Sequence, residues 1–191
     1  MLALAVIISG SQLFAADWSL DKPHSSVNFS VRHMMVATVH GEFTEFDGTA
    51  SFDPADLSTL KANFTVQVAS VTTDDEKRDG HLKSADFFDV EKFPTMTFVS
   101  KSAKQTAPGV ATLTGDLTIR GVTKEVTFNI EGFNTEITTP WGVKAVGGTA
   151  SATINRHDFG VSWNKTLDAG GVVVADNVKI QLELELTRPA S

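Results

Sequence analysis

The chain has 191 residues, no cysteine and a formal net charge of −7 at pH 7, a size that suits one domain with a sizeable core. The lack of cysteine excludes disulfides, thiolate nucleophiles and cysteine-ligated metals. The acidic balance argues against nucleic acid and against tight binding to anionic lipid, because both partners require a basic surface. The 13 Phe and 3 Trp, without any Tyr, favour a large apolar interior with few hydroxyl groups.

Residues 1–16 are predicted to be an export signal peptide. An unbroken apolar run over residues 2–8 is followed by small and polar residues and by Ala15 and Ala16 before Asp17. A short membrane anchor is the alternative, and it is disfavoured because the run is well short of the roughly 20 apolar residues that a membrane span needs. The predicted folded domain therefore covers residues 17–191.

Apolar and polar residues alternate with period two through most of the remaining chain, which is typical of half-buried β-strands. One face carries Val27, Phe29 and Val31 in the first strand, and the last strand alternates in the same way from residue 178 to residue 186. Asp47-Gly48 predicts a tight hairpin turn. Gly121 predicts a second turn, and residues 139–142 predict a hairpin tip.

One short helix is predicted over residues 73–83, because Thr73 and Glu76 have the spacing of a capping box. A second helical turn is predicted over residues 86–92, and Pro94 requires it to end by Phe93. About eight one-sided strands remain, and their apolar faces need a partner. Both a sandwich and a closed barrel satisfy that need, and strands of nine or ten residues favour the barrel.

Several segments resemble the YceI-like family in order and spacing, from about Asp17 to the last strand. They are residues 21–29 (DKPHSSVNF), 39–43 (VHGEF), 46–48 (FDG), 78–88 (RDGHLKSADFF), 93–98 (FPTMTF) and 115–124 (GDLTIRGVTK). The resemblance implies an all-β, extended, lipocalin-like antiparallel barrel of about eight strands in the bacterial periplasm or outside the cell. It also implies an elongated lumen that binds polyisoprenoids, isoprenoid quinones or similar amphiphiles, and no established catalytic residues.

Strand parity and the resemblance together predict the residues that line this lumen. They are Phe29, Val31, Val39, Phe43, Phe64, Val66, Phe98, Leu117, Ile119, Val126, Phe128, Ile154, Ile180, Leu182 and Leu184. Three further residues are candidates for contact with a ligand headgroup. His33 continues the inward parity of its strand, and Arg78 and His81 are three apart on one helix face. In the competing interpretation, Arg78 pairs with a neighbouring aspartate and fastens the helix.

The expected function is a non-catalytic binding or carrier protein with a bound apolar lipid and no cofactor. No metal site is expected, since the 5 His show no ligand spacing. One alternative is an isomerase or hydrolase that acts on such lipids through His33 or His81. The other is an interaction protein with a plain packed core. Transient membrane contact and a homodimer stay open.

Overall fold

The computed structural model describes residues 16–166 and 171–190 of the chain. The predicted signal peptide lies outside these residues, apart from Ala16, which begins the first strand. Within the described part, no helix is both long enough and apolar enough to cross a membrane.

The described residues form twelve β-strands, one α-helix and three short 3₁₀ helices. The strands are β1 (Ala16–Leu20), β2 (Ser26–His33), β3 (Ala37–Phe43), β4 (Phe46–Asp53), β5 (Asp56–Gln67), β6 (Val71–Thr72), β7 (Thr95–Ala107), β8 (Val110–Ile119), β9 (Val122–Gly132), β10 (Ile137–Thr138), β11 (Val143–Asn155) and β12 (Val174–Pro189). The helix α1 spans Glu76–Lys83, and the 3₁₀ helices span Lys22–His24, Val68–Ser70 and Arg156–Phe159.

Eight strands close into an antiparallel barrel. Their order around the barrel is β11, β9, β8, β7, β5, β4, β1 and β12, and β12 then pairs with β11 from Val143 opposite Pro189 to Asn155 opposite Asn177. The prediction of an antiparallel barrel of about eight strands is confirmed, and the sandwich alternative is wrong. Closure gives each of these strands a hydrogen-bonded neighbour on both sides.

The last strand organises both ends of the barrel. β12 has 16 residues and pairs with β1 at one end, where Leu186 lies opposite Leu20, and with β2 at the other, where Leu182 lies opposite Val27. The 3₁₀ helix Lys22–His24 separates β1 from β2. The strands β2, β3 and β6 therefore extend the sheet beyond the ring, and α1 follows β6 directly at this end.

The apolar core begins at the opposite end, beneath β1. The rings of Trp18 and Phe52 stack at 5.4 Å, and Phe133 meets Phe52 edge-on at 6.1 Å. The indole Nε1 of Trp18 donates a hydrogen bond to the carbonyl oxygen of Phe52 at 3.3 Å, so the buried polar atom is paired. The guanidinium of Arg188 lies 4.9 Å above the Trp18 ring. This packing closes one end of the barrel.

The predicted turns at Gly121 and at residues 139–142 are confirmed. Arg120 and Gly121 are both left-handed, with φ of 52° and 72°, and they join β8 to β9 in a tight hairpin. The predicted turn at Asp47-Gly48 is wrong, because both residues lie within β4. Gly48 is opposite Phe64, whose ring fills the space above it, so the glycine serves packing rather than chain reversal.

The predicted helix is present but shorter at its start. It begins at Glu76 and is capped by Asp75, whose carboxylate accepts a hydrogen bond from the Arg78 backbone N at 3.0 Å. The predicted capping box at Thr73 is wrong, because the Thr73 hydroxyl donates to Asp79 Oδ1 at 2.5 Å instead. The second predicted turn, over residues 86–92, is present as hydrogen-bonded turns and not as a continuous helix. Phe93 N donates to the Asp89 carbonyl at 2.9 Å.

Candidate ligand-binding site: two apolar chambers in the barrel

Two apolar cavities lie in the interior of the barrel, among the residues that the structure describes. The inner chamber, of about 150 Å³, lies between the ring strands, and the outer chamber, of about 160 Å³, lies beneath α1 and the segment that follows it. Almost no polar atom faces either chamber. An apolar cavity of roughly 150 Å³ stays dry in a protein and accepts small apolar molecules. Each chamber is therefore suited to a segment of hydrocarbon.

Five side chains separate the chambers and border both of them, and we call them the waist. They are Phe29, Phe43, Met96, Ile119 and Ile180, and they come from β2, β3, β7, β8 and β12. The rings of Phe29 and Phe43 are 5.6 Å apart. The thioether of Met96 is flexible and adapts to irregular space. The two chambers thus adjoin each other in the interior, and the waist side chains lie between them.

Glycines along the barrel wall make room for aromatic rings. In each case a phenylalanine ring occupies the space that a Cβ atom on the glycine would need. The pairs are Gly41 with Phe29, Gly48 with Phe64, Gly115 with Phe98 and Gly148 with Phe133. A ring that packs over a glycine stays close to the wall, because no side chain on the neighbouring strand holds it away. The pairs thereby leave part of the barrel interior unfilled.

Fourteen of the predicted lumen residues border a chamber. Phe29, Phe43, Ile119 and Ile180 border both, Phe64, Val66, Phe98, Leu117, Phe128, Leu182 and Leu184 border the inner chamber, and Val31, Val39 and Ile154 border the outer chamber. The placement of Val126 in the lumen is corrected. It faces inward and packs half-buried against the core, but it borders neither chamber. Its partner across the sheet is Gly115, over which the Phe98 ring packs.

The predicted headgroup residue Arg78 borders the outer chamber, but its guanidinium is used within the protein. Nε donates to the Thr73 hydroxyl at 2.6 Å and Nη2 donates to the Thr73 carbonyl at 2.8 Å. Nη1 lies 3.9 Å from the Asp75 carboxylate. These contacts agree with the competing interpretation, in which Arg78 fastens α1.

Neither predicted histidine borders a chamber. His33 ends β2, where it pairs with Ala37 and Val174, so its parity does not bring it into the lumen. Nε2 of His81 lies 2.8 Å from Asp86 Oδ2. The His81 ring also meets Trp163 edge-on at 4.8 Å. This cluster joins α1 to the segment before β12.

Sequence reasoning missed Arg156, the buried cation of the outer chamber. The residue is 4% exposed. Burial lowers the pKa of its guanidinium, and the negative charge of Asp176, 3.9 Å away, raises that pKa in part. The guanidinium donates at 2.7–3.3 Å to the backbone carbonyls of Val161, Trp163, Val174 and Ala175. Arg156 thereby fixes the segment between β11 and β12. A lone arginine at a strand end carries no periodic signal that could have identified it.

Three side chains near the start of β2 offer potential metal ligands. Ligand atoms of Asp21, His24 and Glu185 lie within 4.8 Å of one another. Nδ1 of His24 is 3.1 Å from Asp21 Oδ2, and this hydrogen bond raises the pKa of the His24 imidazole. The hydrogen bond accounts for the proximity of the Asp21 and His24 side chains, so the group carries no metal assignment.

A closed eight-stranded antiparallel barrel with apolar chambers in its interior defines a lipocalin-like barrel. More specifically, the chain belongs to the YceI-like family, since the model of the YceI-like domain matches residues 18–186. The family membership expected from the sequence motifs is confirmed. A curated relative, the UPF0312 protein SAS2572 of Staphylococcus aureus strain MSSA476, is 40% identical over 172 residues, which cover 90% of this chain and 97% of the relative.

Solved structures share the fold. The Campylobacter jejuni YCEI protein is 30% identical with a TM-score of 0.72, covering 88% of this chain and 96% of its own. Burkholderia cenocepacia BcnA is 28% identical with a TM-score of 0.72, covering 87% and 98%. A polyisoprenoid binding domain from Saccharophagus degradans is 15% identical with a TM-score of 0.63, covering 92% and 99%. This last likeness concerns the fold alone.

Proposed function

We propose that the protein is a non-catalytic carrier that holds the hydrocarbon chain of a polyisoprenoid, an isoprenoid quinone or a similar amphiphile, in the periplasm or outside the cell. The observation that carries the proposal is the pair of adjoining apolar chambers, which share the waist side chains. Because almost no polar atom faces the chambers, a buried headgroup would lose its hydrogen bonds with water without replacement. The enclosed part of the ligand is therefore hydrocarbon.

A carrier needs to take up and release its ligand at small net cost. Exposure of a prenyl chain to water costs about 0.8 kcal/mol for each CH₂-sized group. Transfer from a bilayer into an apolar lumen nearly cancels that cost, because both surroundings resemble oil. Selection then rests on the length and width of the lumen rather than on strong polar contacts.

A long chain spans both chambers when the waist side chains change rotamer. Met96 and Ile180 border both cavities, and rotation about their side-chain bonds widens the passage between them without breaking a backbone hydrogen bond. The Saccharophagus degradans domain, which is described as polyisoprenoid binding, has the same fold and supports the same class of ligand here.

The alternative of an isomerase or hydrolase depends on His33 or His81, and neither residue lies where it could reach a ligand in the chambers. A general acid or base has to come within hydrogen-bond reach of the group on which it acts. His33 and His81 border neither chamber, and His81 is already paired with Asp86. The alternative of a plain packed core conflicts with two cavities of this size, because interiors of folded domains contain few voids larger than a water molecule.

Mass spectrometry of organic extracts tests the proposal. We expect the protein purified from its native host to yield a prenyl lipid in near-stoichiometric amount. A variant with a filled inner chamber, Ala62→Leu, should yield less, and Val126→Phe, which lies outside both chambers, should yield as much as the wild type. Clean extracts from the wild type, together with no binding of added prenyl quinones, would exclude the carrier function.

A further inference from the structure

We propose that the turn between β2 and β3 inserts into the surface of a phospholipid bilayer and brings the outer chamber to the membrane. The turn consists of Met34, Met35 and Val36, and we call it the hairpin tip. The proposal rests on the proposed function, because a lipid carrier has to meet the membrane that holds its ligand.

The hairpin tip presents three consecutive apolar side chains to solvent. Met34 is 43% exposed, Met35 is 60% exposed and Val36 is 79% exposed. In the described part of the chain, the other large apolar side chains with comparable exposure are dispersed over several elements, namely Val99, Val110, Ile137 and Trp141. A contiguous exposed apolar cluster of this kind marks a contact site for a membrane or a protein.

The backbone of the hairpin tip is ill suited to methionine. Met34 and Met35 have φ of 49° and 61°, which is the left-handed region that hairpin turns normally fill with Asn or Gly. Two methionines in this backbone conformation destabilise the folded protein. Because their side chains are exposed, packing offsets little of this loss. Unfavourable backbone conformations of this kind concentrate at functional sites.

Hydrogen bonds hold the hairpin tip in place. Nη2 of Arg32 donates to the Met35 carbonyl at 2.9 Å, and Nη1 donates to the Thr38 hydroxyl at 3.1 Å. The backbone N of Met34 donates to the Val173 carbonyl at 2.8 Å. The apolar side chains are therefore presented on a braced turn, which lowers the entropy lost on binding.

The hairpin tip is continuous with the wall of the outer chamber. Val31 and Val39 lie opposite each other on β2 and β3, and both border the outer chamber, as does Val174, which pairs with His33. Met34 follows Val31 by three residues, or roughly 10 Å of strand. A hydrocarbon chain that leaves a bilayer at the hairpin tip thus meets apolar surface leading to the lumen.

The charge around the hairpin tip suits lipid phosphates. Arg32 and His33 adjoin the hairpin tip, and residues 26–41 contain no Asp or Glu, although the whole chain has a net charge of −7. A nearby carboxylate, Asp176, lies on β12 between the residues that pair with His33 and Val31. Its Oδ1 is 2.8 Å from Nε2 of His157. Lys165 is exposed on the neighbouring segment, whose backbone pairs with that of Val173. Local positive charge favours headgroup contact, and the acidic remainder keeps that contact transient.

A double substitution, Met34→Asn with Met35→Gly, tests this proposal. It removes the exposed apolar side chains and places at both positions residues that adopt positive φ more readily than methionine. Each protein begins at Ala16, so that residues 1–15 do not contribute to vesicle binding and every strand of the barrel is kept. Flotation with phosphatidylcholine vesicles that contain phosphatidylglycerol should show at least about a tenfold lower bound fraction for the double variant. Its urea midpoint should equal or exceed that of the wild type.

Trp141→Ser is the matched control, because Trp141 is 84% exposed on the hairpin at the opposite end of the barrel. It should bind vesicles like the wild type. Equal vesicle binding by the double variant and the wild type would overturn the proposal. A wild type that sediments as a dimer, with a double variant that sediments as a monomer, would also overturn it, because the hairpin tip would then be a dimer interface. Titration with geranylgeraniol in the absence of vesicles tests the carrier function separately from membrane binding. If the double variant binds geranylgeraniol like the wild type, the carrier function stands, and the flotation result alone tests insertion of the hairpin tip into the bilayer.

Discussion

The ring of Phe29 occupies the space that a side chain at position 41 would need. Phe29 and Gly41 lie opposite each other on β2 and β3, and a Cβ atom on Gly41 would lie 2.7 Å from Cε1 of Phe29, well inside van der Waals contact. Phe29 also belongs to the waist between the two chambers. The missing side chain at position 41 therefore leaves room for the Phe29 ring between the two chambers.

Gly41→Ala should narrow the space between the two chambers. The new methyl group displaces the Phe29 ring toward the waist, so we expect about tenfold weaker binding of a prenyl quinone and a loss of about 1–3 kcal/mol in the free energy of unfolding. Fluorescence titration and urea unfolding measure the two effects. Gly147→Ala is the control, since the nearest atom to its added methyl group is 3.8 Å away. An unaltered affinity for Gly41→Ala would show that the waist does not limit binding.

Ala62→Leu should separate stability from affinity. Ala62 borders the inner chamber, so the larger side chain enters existing space, and the unfolding free energy of lipid-free protein should stay within about 1 kcal/mol of the wild type. Prenyl quinone affinity should fall, because the leucine takes the space of the ligand. Delipidated protein is required, since bound ligand raises apparent stability. A marked loss of stability in Ala62→Leu, or normal lipid binding, would mean that no ligand occupies the inner chamber.

Arg78→Ala should weaken ligands with and without a charged headgroup equally. The guanidinium bonds to Thr73, so its removal loosens α1 above the outer chamber and does not remove a headgroup contact. Parallel titrations with geranylgeraniol and geranylgeranyl diphosphate make the comparison, with Lys77→Ala, an exposed neighbour on the same helix, as the control. A loss confined to the diphosphate would restore Arg78 as a headgroup residue.

Arg156→Leu should cost at least about 3 kcal/mol of unfolding free energy, because four carbonyl acceptors lose a charged donor. Arg156→Lys should recover only part of the loss, since an ammonium cannot replace the planar guanidinium. Urea unfolding is the measurement. Arg120→Leu, which removes two bonds to loop carbonyls at a less buried site, should cost less. Similar losses for both leucine variants would argue against a special role for Arg156.

His24 should titrate above its usual pKa of 6.5. The hydrogen bond that the His24 imidazole donates to the Asp21 carboxylate is the main cause, and the charges of Asp21 and Glu185 add to it. Because folding raises this pKa, the stability that His24 contributes is fully present below pH 6.5 and is lost as pH rises through the folded-state pKa. NMR titration of the imidazole should show the pKa fall in Asp21→Asn. An identical pKa in that variant would show that Asp21 is not the cause.

Strand parity was sufficient to predict which way most side chains point. Alternation places Leu117 and Ile119 on the same face of β8, and both border a chamber. Val126 also packs against the core, as parity predicts, but it borders neither chamber, because facing inward does not by itself place a side chain beside a cavity. Asp47-Gly48 was also misread, since a glycine that accommodates a ring across the sheet has the same local pattern as a turn glycine.

The amino-acid sequence by itself determined the one-sided strands and the YceI-like family, because alternation and ordered motifs are local properties of the chain. Alternation left a sandwich and a barrel open, and the resemblance to the family implied the barrel. The tertiary structure alone decided that the interior contains two chambers, that Arg78 hydrogen-bonds to Thr73 and that Arg156 is buried. Each of these depends on contacts between residues on different elements, such as Phe29 with Gly41 or Arg156 with Ala175. Such contacts arise from how the strands pack around one another, and no single segment encodes them.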